Sequence, residues 1–203
     1  MKKILLLIFS IFLLNFVFAQ DDSSKFVPGI GITSFFAHTT NAHPVSYFID
    51  FNPNINVRYN RNSLMFGPVL GTRRVSLQSW PAPVFLKWGL NGFLFCYQRE
   101  LLSGKNTSFK LEYNGIYQFL NYKGIEYSYG EEYIFKNFLF QQTMGYVFDF
   151  RFAKNFTLAQ HLGVGYGSGK YKLDYTKLPA EYEVQKSNKG FTTLIKLNLG
   201  YSF

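Results

Sequence analysis

Three histidines, His38, His43 and His161, are the side chains in this chain best suited to acid–base chemistry. Nucleophilic catalysis needs a hydroxyl or thiol, a base within hydrogen-bond reach, and a group that orients the base. Ser46 lies three positions after His43, in a polar stretch where a solvated loop is the simpler expectation. His161 falls on the small-residue face of an alternating segment, which suits a hydrogen-bonded interior histidine better than a catalytic base. The three histidines have no metal-ligand spacing, and the single Cys96 belongs to no zinc pattern and forms no internal disulfide. No catalytic, cofactor-binding or metal residue is assigned. Gly163, Gly165, Gly167 and Gly169 resemble a phosphate loop only superficially. They recur with period two inside a strand-like segment, whereas nucleotide loops need a strand–loop–helix context. Their small size is expected to make room for a bulky interior neighbour such as an Arg or Tyr.

The elements that must position these residues are strands. Tyr47, Ile49, Phe51, Ile55, Val57 and Tyr59 alternate with Asp50, Asn52, Asn54, Asn56 and Arg58, giving one apolar and one polar face. Seven further segments read similarly: Lys25–Phe36, Leu64–Val75, Phe85–Arg99, Ser108–Leu120, Phe138–Phe152, Phe156–Gly169 and Phe191–Phe203. The connections alternate between tight polar turns (Asn60–Ser63, Leu101–Asn106, Ala153–Asn155) and longer links (Ala37–Ser46, Arg73–Val84, Asn121–Asn137, Lys170–Gly190). Eight antiparallel strands joined this way predict an all-β, up-and-down transmembrane barrel, with turns at one end and loops at the other. Pro53 and Pro68 each remove a ladder donor, so a bulge or unpaired stretch is expected in the second hairpin. Leu86, Trp88, Leu90 and Leu94 conflict in phase with Phe93, Phe95 and Tyr97, which a one-residue bulge near Asn91–Gly92 would reconcile.

Alternation alone does not say which face points outward. A soluble ligand-binding barrel would put its apolar row inside. Here the polar row carries Asp50, Arg58, Lys110, Glu112, Asp149 and Arg151, enough opposite charge for an interior ion-pair and hydrogen-bond network. The apolar row is dominated by large aromatics, too bulky for an eight-strand lumen but suited to lipid. Phe and Tyr together make up 39 of the 203 residues, and mean hydropathy is near zero, as expected when apolar and polar positions alternate.

The N-terminal segment has Lys2 and Lys3, an apolar run from Ile4 to Phe18, and a small-residue site at Val17–Ala19, the layout of a secretory signal peptide. The run is short for a membrane helix of about 20 residues. Domains are therefore expected at 1–19 (signal peptide) and 20–203 (barrel), with the formal charge falling from +9 to +7 on cleavage. The other end closes on a row formed by Ile195, Leu197, Leu199, Tyr201 and Phe203. This row resembles the C-terminal strand of bacterial outer-membrane barrels, and the resemblance implies that those five residues are read by the barrel-insertion machinery. Across the mature chain the architecture resembles the small OmpX-type and OmpA-type barrels, and the loose composition is similar to outer-membrane β-barrel families of the Bacteroidetes.

That resemblance implies an outer-membrane address and a monomer in contact with outer-membrane lipid, without implying one activity. A structural or surface-interaction role carried by the long loops is the leading expectation, with no cofactor. The alternatives are a lipid A-modifying enzyme of the deacylase or acyltransferase type, or a narrow, porin-like pore. The deacylase pattern of His and Ser two apart on an outward strand face is missing here. Arg73, Arg74, Lys170 and Lys172, with Lys177, Lys186 and Lys189 nearby, are candidate contacts for lipopolysaccharide phosphates. Nucleic acid is disfavoured by location despite a basic pI.

Overall fold

Alternating side chains produce eight strands, and the strands close. The computed structural model describes residues 26–40, 49–74, 86–126, 131–175 and 184–203. The segment expected to be a signal peptide, residues 1–19, lies outside them, as do His43 and Ser46. The strands are β1 (Phe26–Thr39), β2 (Asp50–Tyr59), β3 (Asn62–Arg74), β4 (Leu86–Ser103), β5 (Thr107–Glu126), β6 (Glu131–Arg151), β7 (Phe156–Tyr175) and β8 (Val184–Ser202). Each pairs antiparallel with its sequence neighbour, and β8 returns to β1, making a closed up-and-down barrel. The seam runs from Gly29 opposite Ser202 to Thr39 opposite Thr192. The chain end is held there by the Phe203 amide donating to Pro28 O at 3.1 Å. Closure removes both sheet edges, so every strand has two partners.

The second hairpin has the expected gap. Phe51 pairs with Leu70 and Ile55 with Phe66, and between them the two prolines interrupt the ladder. A side chain takes over its work: Asn52 Nδ2 donates across to Pro68 O at 2.8 Å, while within β2 Asn54 Nδ2 donates to Asn52 O at 2.9 Å. In β4, Gly92 pairs with Val69 and Leu90 with Leu70, leaving Asn91 as the bulged residue. Asn91 and Gly92 are both buried, and the bulge lets Trp88, Leu90, Phe93 and Phe95 all face outward. Gly92 adopts φ 156°, and a Cβ there would run into the Tyr117 carbonyl.

Two expectations from sequence are corrected. Much of Asn121–Asn137 and Lys170–Gly190, expected to be links, is strand: the β5–β6 ladder continues to Glu126 opposite Glu131, and the β7–β8 ladder to Leu173 opposite Val184. These extensions lie beyond the apolar belt, where no apolar row is required and the alternation that marks a strand fades. The inward glycines of β7 also do not make room for an Arg or Tyr. Their nearest neighbours are Thr143 for Gly163, the β6 backbone at Gln142 and Thr143 for Gly165, Thr39 and Thr192 for Gly167, and Phe138 O and Leu139 for Gly169. They permit close approach of the wall and of small hydroxyls.

Gly165 therefore tolerates a side chain poorly, because the obstacle is backbone. Gly115, whose nearest atom to a new Cβ is Phe140 Cε2 at 3.9 Å, has room. In urea titrations of barrels refolded into lipid vesicles, Gly165→Ala is expected to lose about 1–3 kcal/mol. Gly115→Ala should stay within about 0.5 kcal/mol of the parent.

Candidate functional site

The inward row of β5 places Glu112 and Asn114 two residues apart on one face, aimed into the lumen. Gln98 and Cys96 approach from β4, His161 from β7 and Lys196 from β8. Glu112, His161 and Lys196 are all at most 2% exposed. Glu112 Oε1 accepts from Lys196 Nζ at 2.9 Å and from Asn114 Nδ2 at 2.6 Å. Its Oε2 accepts from Gln98 Nε2 at 2.8 Å, Cys96 Sγ at 3.1 Å and His161 Nδ1 at 2.6 Å. A carboxylate only accepts, so Nδ1 of His161 carries the proton in this contact. Lys196 Nζ also donates to Asn114 Oδ1 at 2.5 Å. A buried carboxylate is tolerated when it is paired and its remaining lone pairs are hydrogen-bonded, and Glu112 meets both conditions.

Packed against this cluster is an apolar one: Phe35, Met65, Val69, Leu94, Cys96, Ile116 and Leu194. Together they fill the middle of the lumen, as an eight-stranded barrel allows. Towards the loop end, Asp50 accepts from Gln118 Nε2 at 2.7 Å and Asn91 Nδ2 at 3.4 Å. There too Thr39 and Thr192 hydroxyls meet at 2.6 Å, and Gln141 Nε2 donates to Thr39 Oγ1 at 2.9 Å. Towards the turn end, Lys110 pairs with Asp149, to which Ser108 also donates. Below that pair a cavity of about 710 Å³ opens among the turns, with Arg58 and Arg151 in its walls.

The six charged residues expected to form one network thus occupy three separate levels. Asp50 lies near the loop end, Glu112 in the middle, and Lys110, Asp149, Arg58 and Arg151 at the turn end. Only Lys110 and Asp149 of the six pair with each other. Lys196, the counter-ion of Glu112, is not among the six. Its position on the polar row of β8 is visible in sequence, but its meeting with β5 across the lumen is not. Of the histidines, His38 faces outward beside Phe36, with ring centroids 6.4 Å apart. Among the described residues no group of three or more His, Cys, Asp or Glu forms a candidate metal site. Lys172 pairs with Asp174 at 3.3 Å on the β7 extension, where Lys170 is exposed. Arg73 and Arg74 end β3.

The outer surface is the converse of the lumen. Ile195, Leu197, Leu199 and Phe203 are exposed on one face of β8, continuous with Ile30 and Ile32 of β1 and with Leu158 and Leu162 of β7. At the turn end Phe152, Phe156, Tyr201 and Phe203 form a chain of ring contacts, with centroids 4.9 to 5.9 Å apart. A solved structure described as a major outer membrane protein from Thermus thermophilus is similar over 88% of this chain and 99% of its own, with TM-score 0.51 and 9% sequence identity. This chain shares the outer-membrane barrel fold. No protein-family model and no curated protein matches the chain.

Removing one partner from the central cluster leaves a buried charge uncompensated. Glu112→Gln and Lys196→Met are each expected to destabilise the refolded barrel by about 3–5 kcal/mol in urea. The double variant should lose clearly less than the sum of the two. Cys96, fully buried, is expected to resist maleimide in the folded barrel and to react on denaturation.

Proposed function

We propose that this chain is an integral outer-membrane β-barrel with a structural or surface-interaction role and no catalytic activity. The observation that carries the reading is the pairing of a filled polar lumen with an outer wall of large exposed apolar side chains. Trp88 is 63% exposed, Ile32 58%, Leu162 and Met144 56%, and Phe148 52%. Soluble monomers rarely present apolar surface continuously around a whole barrel. A bilayer covers such a surface, and a closed sheet is the strand architecture that satisfies its backbone there. Ile195, Leu197, Leu199, Tyr201 and Phe203 sit on that wall, where the insertion machinery can reach them. The cleaved signal peptide and the monomeric state belong to the same reading.

Recognition is assigned to the loop end, including the β5–β6 and β7–β8 extensions. There Lys170 and Lys172 on β7, with Arg73 and Arg74 at the end of β3, are the proposed contacts for lipopolysaccharide phosphates. A lipid A-modifying activity is disfavoured by the surroundings of the described histidines. His161 is sealed against Glu112 inside the wall, and His38 has the Phe36 ring beside it on the outer face. A pore is disfavoured by the Phe35–Leu94–Ile116–Leu194 packing across the lumen.

The protein is expected in the outer-membrane fraction, with faster gel mobility unheated than boiled. Recovery as a soluble periplasmic protein would contradict the membrane reading. Lipid A from cells with and without the gene is expected to give the same mass spectrum. A changed acyl pattern would establish the enzymatic alternative.

A further inference from the structure

The turn end of the lumen holds more positive charge than a structural plug requires. Arg58, Arg61, Arg99, Lys105, Lys110 and Arg151 all line the cavity of about 710 Å³. Against these six cations stand only two lining carboxylates, Glu100 and Asp149. Asp149 is engaged by Lys110 and Ser108. Among the described residues neither Arg58 nor Arg151 has a carboxylate partner. β2 and β6 stand four strands apart in a ring of eight, so these two guanidinium groups enter the cavity from opposite walls. Between them the lining offers neutral hydrogen-bonding groups, among them Asn56, Asn198 and Thr157.

Like charges lining one cavity repel, and an anion bound among them removes that repulsion. Guanidinium groups bind phosphate and carboxylate oxygens bidentately, with fixed geometry. The volume falls within the range of small-molecule sites. We propose that this vestibule binds a compact, soluble, multivalent oxyanion, a phosphate- or pyrophosphate-bearing small molecule, clamped between Arg58 and Arg151. The barrel wall is continuous around the cavity, so the ligand enters from the turn end. The site stands on the barrel itself. Only its facing the periplasm rests on the outer-membrane reading, and a titration of the purified barrel tests it independently of location.

The test is calorimetric titration of the full refolded barrel in a non-ionic maltoside micelle with inorganic pyrophosphate at low salt. One saturable site per barrel is expected, weakening as salt rises. Arg58→Gln with Arg151→Gln is expected to weaken binding at least ten-fold while heat-modifiable gel mobility is kept. The Lys-for-Arg pair at the same positions, which keeps the charge and guards against misfolding, should retain part of the affinity. Lys136→Gln, on the exposed loop-end part of β6, should leave binding unchanged. Phosphatidylglycerol added to the micelle should not compete. Unsaturable or absent binding, equal binding by the double glutamine variant, an equal loss in Lys136→Gln, or displacement by phosphatidylglycerol would each overturn the proposal.

Discussion

A closed barrel of eight strands has an interior too narrow for bulk water at its middle, so each polar group placed there must find its partner in the protein. Glu112 is where this constraint is tightest. Its carboxylate receives five donors from five residues on four strands, β4, β5, β7 and β8. The interaction ties the C-terminal strand to the middle of the chain, because β8 brings Lys196 and β5 lies midway along the sequence. The apolar packing of Phe35, Leu94 and Leu194 against this level is possible because the charge beneath it is already satisfied.

The outer wall obeys the opposite rule with the same period. Each polar residue that faces inward is flanked by residues that face out, so a polar lumen and an apolar circumference come from one alternation. Prolines and glycines modify that alternation locally. Pro53 and Pro68 break the second ladder, and the Asn52 side chain bridges the gap. The bulge at Asn91 switches the facing of β4. At the turn end the packing gives way to a basic vestibule, where the same interior row meets water.

Strand identity, closure and facing were legible because period two persists wherever one side is apolar: Phe109 to Phe119, Tyr146 to Phe152 and Phe191 to Phe203 could be assigned directly. The bulge at Asn91–Gly92 was legible as a conflict between two half-rows. The upper parts of β5 to β8 were not, since strands outside the belt need no apolar row. Nor was the pairing of Glu112 with Lys196, which depends on barrel shear and diameter rather than on spacing along the chain. The vestibule was hidden for a similar reason. Arg58, Lys105 and Arg151 are far apart in sequence, and a charge on the polar row reads the same whether it is neutralised or left facing a cavity.

In the proposed outer-membrane setting the apolar row contacts lipid around the whole circumference. Single cysteines placed at Ile30, Phe66, Met144, Leu162 and Leu197 in a Cys96→Ser background, each carrying a nitroxide, test it in reconstituted vesicles. These positions sample β1, β3, β6, β7 and β8. All five labels are expected to collide readily with oxygen, which partitions into the bilayer, and to be shielded from a water-soluble nickel chelate. Labels accessible to the chelate and poor in oxygen would mean that water, not lipid, covers this wall.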